Sequence, residues 1–283
     1  MIKIEFQNLI LKGDSEKAFR DPACFYHNGV YHLFYTLSRK KNGYMYNRVA
    51  KSESRDLKNW SEPEFLTKED NLLNFCSPGN ILKVNDEFIM CVSSYPMPLP
   101  FEEVCAANDN ARLFIMRSRD LKIWSEPEKI HISGEMSKGK RKIDPFIIED
   151  KDISGKYHLF FKLDGKINRA VSNGDLFNWE YVSDVIEGEN PCIVVENDKY
   201  MMFYSPTHGI EKLESDDLCS WKEKGKVKFD DEILEWATGR ITAGFMMNMH
   251  HNGKKALFFH SSVLGAFPET HGDASIGLIK YDI

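Results

Sequence analysis

Three acidic residues occupy similar places in the sequence, each at the start of an apolar run and close to a proline. Asp21 stands in RDPACF, Asp144 in IDPFII and Glu189 in ENPCIV. An Asp before Pro is often only a turn residue. If the three carboxyl groups share one pocket, however, their repulsion raises the pKa of one of them. General acid–base catalysis needs such a pair, one group protonated and one ionised near neutral pH.

The elements around these residues repeat along the chain. SRDLKNWSEPE (54–64) recurs as SRDLKIWSEPE (118–128), with weaker copies SNGDLFNWE (172–180) and SDDLCSW (215–221). Four of the five tryptophans, at positions 60, 124, 179 and 221, occupy the same place in these copies. We interpret the Asp as the cap of a turn and the Trp as packing between units.

A hairpin pattern precedes each of these turns. The copies begin at residues 21, 77, 144 and 190, and a fifth, GRITAGFMMNMHHNGKKALFFHSS (239–262), lacks the proline. Their turns contain Asn-Gly, Asn-Asp and Ser-Gly, which favour hairpins. Strands that are apolar on both faces, such as VYHLFYT, must lie between two layers.

Stacked four-stranded units satisfy this requirement, and the repeat length suits propeller blades. The sequence therefore predicts an all-β fold, a five-bladed β-propeller forming a single domain over residues 1–283. The predicted blades are 12–64, 65–128, 129–183, 184–226 and 227–283, with a strand at 2–10 closing the ring. A β-sandwich is the alternative, but it leaves five similar hairpins unexplained.

The order Asp, Asp, Glu on blades one, three and four resembles glycoside hydrolase family 43. The most specific stretch is KIDPFIIEDKDISGKYHLFF, and the resemblance covers nearly the whole chain. It implies an inverting glycosidase acting on arabinosides or xylosides. By this resemblance Asp21 would be the general base, Asp144 would orient the substrate and tune the acid, and Glu189 would be the general acid. Glu187, within IEGEN, is the alternative acid.

Blade five departs from that family. It reads ATGRITAG, with Arg240 and Thr242 where many members carry a histidine that helps to hold a central calcium or water. We therefore expect no metal and no cofactor, although the resemblance alone allows a structural calcium at the axis. Arg240 is instead a candidate to neutralise a carboxylate or to bind the sugar. Further substrate-binding candidates are Trp236, Phe75 and His208; for Trp236, packing is equally plausible.

Other functions remain open at this stage. A retaining fructosidase lacks support because its Asn-Asp-Pro-Asn motif is absent. A glycoside phosphorylase needs several basic residues, and Arg20 and Arg240 are the obvious candidates. A propeller that only binds glycans is the non-enzymatic alternative. The basic run KGKRK (138–142) reads as a solvated loop, with attraction of an acidic sugar as its alternative role.

Composition narrows the partners and the compartment. The chain of 283 residues carries a formal net charge of −6, which gives no reason to expect nucleic acid as a partner. The expected partner is an oligosaccharide or glycoside substrate. No apolar run is long enough to cross a bilayer, and the N-terminus lacks signal-peptide features. We expect a cytoplasmic protein, or one whose leader has been removed. The six cysteines contain no CxxC pair and are expected to be free thiols.

Overall fold

A computed structural model describes residues 4–69, 73–95, 99–100, 109–134, 140–229, 233, 235–249, 254–263 and 273–282. Its strands form five sheets. The N-terminal strand is β1 (Ile4–Leu11). Blade one contains β2 (Lys17–His27), β3 (Val30–Lys41), β4 (Tyr44–Ser54) and β5 (Glu64–Phe65). Blade two contains β6 (Asn74–Cys76), β7 (Ile81–Val84), β8 (Glu87–Tyr95), β10 (Arg112–Ser118) and β11 (Glu128–Lys129). The short strand β9 (Leu99–Pro100) lies between β8 and β10 in the chain but pairs with β4 of blade one.

The remaining strands form three further blades. β12 (His131–Ser133), β13 (Ile143–Glu149), β14 (Lys156–Leu163), β15 (Lys166–Asn173) and β16 (Asn178–Glu187) form blade three. Blade four consists of β17 (Glu189–Glu196), β18 (Lys199–Ser205), β19 (Glu211–Ser215) and β20 (Lys222–Lys226). Blade five consists of β21 (Thr242–Met249), β22 (Lys254–Ser261), β23 (Ser275–Asp282) and β1. The predicted all-β, five-bladed propeller is confirmed.

The ring closes through the N-terminal strand, as predicted. β1 pairs antiparallel with β23, from Ile4 opposite Tyr281 to Leu11 opposite Ile276. This pairing covers the outer edge of β23 and makes β1 the outermost strand of blade five. The second strand of each blade is buried on both faces, as β3 shows with eight consecutive buried residues from Tyr31 to Ser38. The buried hydrophobic side chains form two clusters, a large one and a smaller one between blades two and three.

The Asp-Leu-Trp turns join the third and fourth strands and pack each blade against the preceding one. In blade one, Ser54 Oγ accepts the N–H of Leu57 at 2.9 Å, and Asp56 Oδ1 accepts the N–H of Asn59 at 2.8 Å. Trp60 lies edge-on to Phe258 of blade five. The equivalent pairs are Trp124 with Phe34 of blade one and Trp221 with Phe160 of blade three.

Several details differ from the sequence prediction, and the predicted boundaries at 64 and 128 each divide a two-residue strand, β5 and β11. Blade three gains a fifth strand, because β12 runs parallel to β16. β16 extends to Glu187, so the predicted boundary at 183 falls inside it. No helix among the described residues has the length and apolarity that a membrane span requires. The five described cysteines are free, and all but Cys219 are buried; Cys105 lies outside the described residues.

Candidate active site

Five residues in the left-handed backbone region surround the central axis, one at the entry of each blade. These entry residues are Asp21, Ser77, Asp144, Asn190 and Ala243, with φ between 47° and 55°. A proline follows each of the first four, and Gly244 follows the fifth. Strand pairing is irregular at this point in four blades, as expected of a bulge that turns the chain. All five line an axial cavity of about 30 Å³, which is room for one or two water molecules.

This register corrects the sequence assignment in blade five. The inner strand begins at Thr242 and its entry residue is Ala243, whereas Gly239 and Arg240 lie before the strand. The prediction was wrong because a glycine replaces the proline that marks the other blades. Glu189 is also offset: it lies one residue before the entry residue of its blade, whereas Asp21 and Asp144 are entry residues themselves.

Asp21 lies in a pocket of donors. Its Oδ2 accepts hydrogen bonds from Thr36 Oγ1 at 2.7 Å and from Ser77 Oγ at 3.2 Å. Burial alone would raise its pKa, but the charge of Arg20 and the two hydroxyls outweigh burial and hold the pKa below its ordinary value. The backbone N–H of Asp21 donates to His260 Nδ1 at 3.0 Å. That nitrogen is therefore unprotonated, in line with burial lowering the pKa of His260 to about 4. Because His260 is neutral, we assign the lowered pKa of Asp21 to Arg20 and the hydroxyls.

Asp144 has the opposite electrostatic environment. It is buried, and its backbone N–H donates to Ser93 Oγ at 3.0 Å. Within the described part of the chain, its carboxyl group has no hydrogen-bonding side chain. Burial and the negative charge of Glu189 raise the pKa of Asp144 to about 7. Asp144 is therefore substantially protonated at neutral pH.

Glu189 is held by two cations. Its Oε2 accepts a hydrogen bond from Lys162 Nζ, and its Oε1 lies 2.5 Å from Arg240 Nη2. Burial opposes its charge, but Arg240 and Lys162 prevail and lower its pKa. Glu187, the alternative acid in the sequence, is exposed on β16 opposite Lys166 in blade three.

The sequence predicted that repulsion would leave one carboxyl group protonated near neutral pH. In this structure that group is Asp144, whereas the sequence argument assigned a raised pKa to Glu189. The difference comes from Arg240 and Lys162, which together lower the pKa of Glu189; the sequence analysis overlooked Lys162. A bound molecule that separates Glu189 from either cation would raise its pKa, because an opposite charge would be lost.

Solved structures share this architecture at low sequence identity. An α-L-arabinofuranosidase from Podospora anserina, in complex with cellotriose, is 16% identical with a TM-score of 0.69, over 98% of this chain and 95% of the other. A family 43 β-1,3-galactosidase with galactodeoxynojirimycin is 13% identical, TM-score 0.65, over 94% and 93%. A family 43 enzyme from Xanthomonas citri with xylose is 13% identical, TM-score 0.64, over 96% and 89%.

The chain has the fold of these glycoside hydrolases. At such identities the likeness establishes the fold alone. No protein-family model matches the sequence, and no curated protein sequence matches it either. The residues of this propeller must therefore carry any argument about its activity.

The other predicted substrate-binding residues differ in their surroundings. Trp236 stacks on Phe259 with ring centroids 5.7 Å apart. Phe75 lies edge-on to Phe114 at 5.3 Å. Both rings therefore pack within the propeller, and a role in binding sugar stays a prediction for each. His208 is exposed on the bend after Pro206, whose carbonyl oxygen accepts a hydrogen bond from Arg240 at 3.1 Å. Its loop therefore lies beside the Glu189 end of the site.

Several residues around the site were missed by sequence reasoning. Lys162 and His260 are each the polar end of an apolar second strand, HLFFK and LFFHS, and that position is the signal that could have revealed them. Arg141 belongs to the basic run at 138–142, whose first two residues lie outside the described part. It donates to Tyr95 Oη at 2.9 Å, and its charge opposes the rise in the pKa of Asp144.

The described residues of the site do not form a recognisable set of metal ligands. In the described ranges, no group of three or more His, Cys, Asp or Glu side chains is arranged to bind one. His260 Nδ1 already accepts the N–H of Asp21. The expected absence of a metal remains a prediction.

Proposed function

We propose that the protein is a glycoside hydrolase of the inverting type. The observation that carries this proposal is a group of three carboxyl groups at the axis: ionised Asp21 and protonated Asp144 line one cavity, and Glu189 lies close enough for its charge to raise the pKa of Asp144. Acid–base cleavage of a glycoside needs two carboxyl groups in opposite protonation states. Asp144 is buried and has no hydrogen-bonding side chain among the described residues. Burying a carboxyl group in this way costs folding free energy, so a purely structural role does not explain its position.

In this proposal Asp21 is the general base. It accepts the proton of a water molecule as the water oxygen bonds to the anomeric carbon. Its lowered pKa keeps it ionised at neutral pH, and the hydroxyls of Thr36 and Ser77 fix its orientation. An inverting enzyme holds its two carboxyl groups about 6.5–9.5 Å apart so that this water fits between base and sugar.

Glu189 is the proposed general acid. The glycosidic C–O bond breaks as Glu189 donates a proton to the leaving oxygen. In the free protein both its oxygens contact cations, so substrate must first weaken one contact and let Glu189 take up a proton. Asp144 is the proposed modulator, because its charge state acts directly on Glu189.

The proposed substrates are glycans that contain arabinose or xylose. This choice comes from the family resemblance in the sequence. Of the similar solved structures, one is described as an arabinofuranosidase and another as a complex with xylose. Another is described as a β-1,3-galactosidase, so galactosides belong in the same screen.

The test is a panel of nitrophenyl glycosides assayed with wild type, Glu189→Gln and Asp21→Asn. Glu187→Gln is the matched control, since it removes a nearby but exposed carboxylate and should leave the rate unchanged. Glu189→Gln should retain more activity on leaving groups that need no protonation. Asp21→Asn should lose about 10²-fold or more regardless of the leaving group. Inversion is read from the anomer first formed, by NMR.

Two results would contradict the assignment. If Asp144→Asn rather than Glu189→Gln shows the leaving-group dependence, Asp144 is the proton donor. If wild type cleaves no glycoside yet binds oligosaccharides, the propeller is a binding module.

The cations beside the three carboxyl groups favour one second candidate, a glycoside phosphorylase. Lys162 and Arg141 join Arg20 and Arg240 near the carboxylates, a larger basic set than the sequence suggested. Phosphate would then replace water as the nucleophile. Release of a sugar 1-phosphate that depends on added phosphate would support this candidate, and unchanged rates with phosphate would oppose it.

A further inference from the structure

Five side chains on the second strands occupy equivalent positions around the axis. Each lies directly opposite the residue that precedes the entry residue of its own blade. We name these the junction residues: Thr36, Ser93, Lys162, Ser205 and His260. The repeat of the blades therefore presents one side chain per blade at the same height.

Four of the junction residues perform the same structural task. Each accepts the backbone N–H of the entry residue in the next blade. The bonds run from Ser77 to Thr36 Oγ1 at 2.7 Å, from Asp144 to Ser93 Oγ at 3.0 Å, from Ala243 to Ser205 Oγ at 2.9 Å, and from Asp21 to His260 Nδ1 at 3.0 Å. These hydrogen bonds connect four of the five pairs of neighbouring blades, including blades five and one.

Lys162 is the exception among the five. A protonated lysine has three donors and no acceptor, so it cannot receive the N–H of Asn190. Its Nζ instead contacts Glu189 Oε2 in the next blade. At this one contact the propeller has a cation where its other blades have a hydrogen-bond acceptor.

We propose that Lys162 is a positioning residue that replaces a structural hydrogen bond in order to orient Glu189 and control its protonation. This inference rests on the proposed function for the role of Glu189 as an acid. The contact between Lys162 and Glu189 and the equivalent positions of the junction residues do not depend on that function. Lys162 acts together with Arg240, which reaches Glu189 from the segment before β21.

The charges around this pair decide the direction of the effect. Arg240 before β21, Asp144 on β13 and His260 on β22 interact with this pair directly. Asp21 and Arg20 on β2, together with Arg141 and its partner Tyr95 on β8, surround Asp144 and His260. Lys162 lowers the pKa of both Glu189 and Asp144. Its removal should therefore raise both pKa values, so that the acid keeps its proton to higher pH.

The experiment compares four variants. Lys162→Ser removes the charge and supplies the acceptor found at Ser93 and Ser205. Lys162→Met removes the charge without an acceptor, and Lys162→Arg keeps the charge. Ser205→Ala removes a junction hydrogen bond to Ala243, an entry residue with no titratable group. The readouts are the pH profile of kcat/KM on a nitrophenyl glycoside, the 13C titration of the Glu189 carboxyl carbon, and the melting temperature.

The expected results separate a positioning role from a structural one. Lys162→Ser and Lys162→Met should both move the alkaline limb and the Glu189 titration upward by about one pH unit or more. Lys162→Arg should keep the wild-type profile, and Ser205→Ala should lower the melting temperature without moving the profile. Lys162→Ser should melt above Lys162→Met at every pH, because the two differ in the acceptor.

Unchanged titration of Glu189 in Lys162→Ser and Lys162→Met would overturn the inference. The same holds if Lys162→Arg loses the profile as fully as Lys162→Met. If wild type turns over no glycoside but the Glu189 titration still moves, the proposed function fails and the role of Lys162 in protonation stands.

Discussion

Replacing Asp144 with Asn should make the protein more stable above neutral pH. Asp144 is 9% exposed, and burial together with Glu189 raises its pKa from 3.8 to about 7. A carboxyl group whose pKa is higher in the folded state binds more protons there, so the protein loses stability as pH rises from about 4 to about 7. Asparagine keeps the shape of the side chain and does not titrate.

The size of the gain follows from the pKa. Raising a pKa from 3.8 to about 7 corresponds to about 4 kcal/mol once the group is ionised. Arg141 and Lys162 can move toward an ionised Asp144 and offset part of this cost, so we expect a gain of about 1–3 kcal/mol at pH 8.5. For a chain of this size the gain raises the melting temperature by about 2–6 °C.

The assay is thermal unfolding of wild type and Asp144→Asn between pH 4 and pH 8.5. The difference should be near zero at pH 4, grow through the range up to about pH 7, and then level off. Asp21→Asn is the matched control with the opposite sign, because the pKa of Asp21 is lowered and its ionised form stabilises the fold. Its loss of stability should be largest at high pH. A pH-independent difference for Asp144→Asn would refute the reasoning.

Three further predictions concern other parts of the propeller. Thr36→Val removes a donor to Asp21, so the acidic limb of the kcat/KM profile should move to higher pH and the rate should fall about tenfold or more; an unmoved limb would contradict this. Gly79→Ala places a Cβ 1.9 Å from the Pro145 carbonyl oxygen, and should lower stability by about 4 kcal/mol or more, or prevent folding; a melting temperature within a degree of wild type would oppose it. Brief iodoacetamide treatment of native protein should modify Cys219 alone among the five described cysteines, as read by peptide mass spectrometry; early labelling of a buried thiol would count against the packing.

The fold could be predicted because its signals are local. The Asp-Leu-Trp turn satisfies its own backbone through Ser54 and Asp56, so each copy carries its full pattern within a few residues. The proline that follows each of the first four entry residues is an equally local mark, because it stands next to the residue that it identifies. In blade five Gly244 replaces the proline, so the sequence carries no such signal there. The sequence analysis therefore began this repeat at residue 239, whereas the entry residue is Ala243.

The protonation states could not be predicted in the same way. They depend on which cations lie beside each carboxylate, and Lys162 is 27 residues from Glu189 in the chain. Arg240 contacts the same carboxylate from the segment before β21. Packing of successive blades brings these cations to Glu189, so the direction of its pKa shift is a property of the tertiary structure.

The pairing of β1 with β23 also constrains how the chain assembles during synthesis. β1 precedes the four-stranded blades in the sequence, yet its partner β23 follows all of the other described strands. Blades one to four can form while translation continues, but the first strand keeps an unpaired edge throughout. β1 therefore stays unpaired until β23 has been synthesised, and deletion of either strand would leave the same incomplete blade.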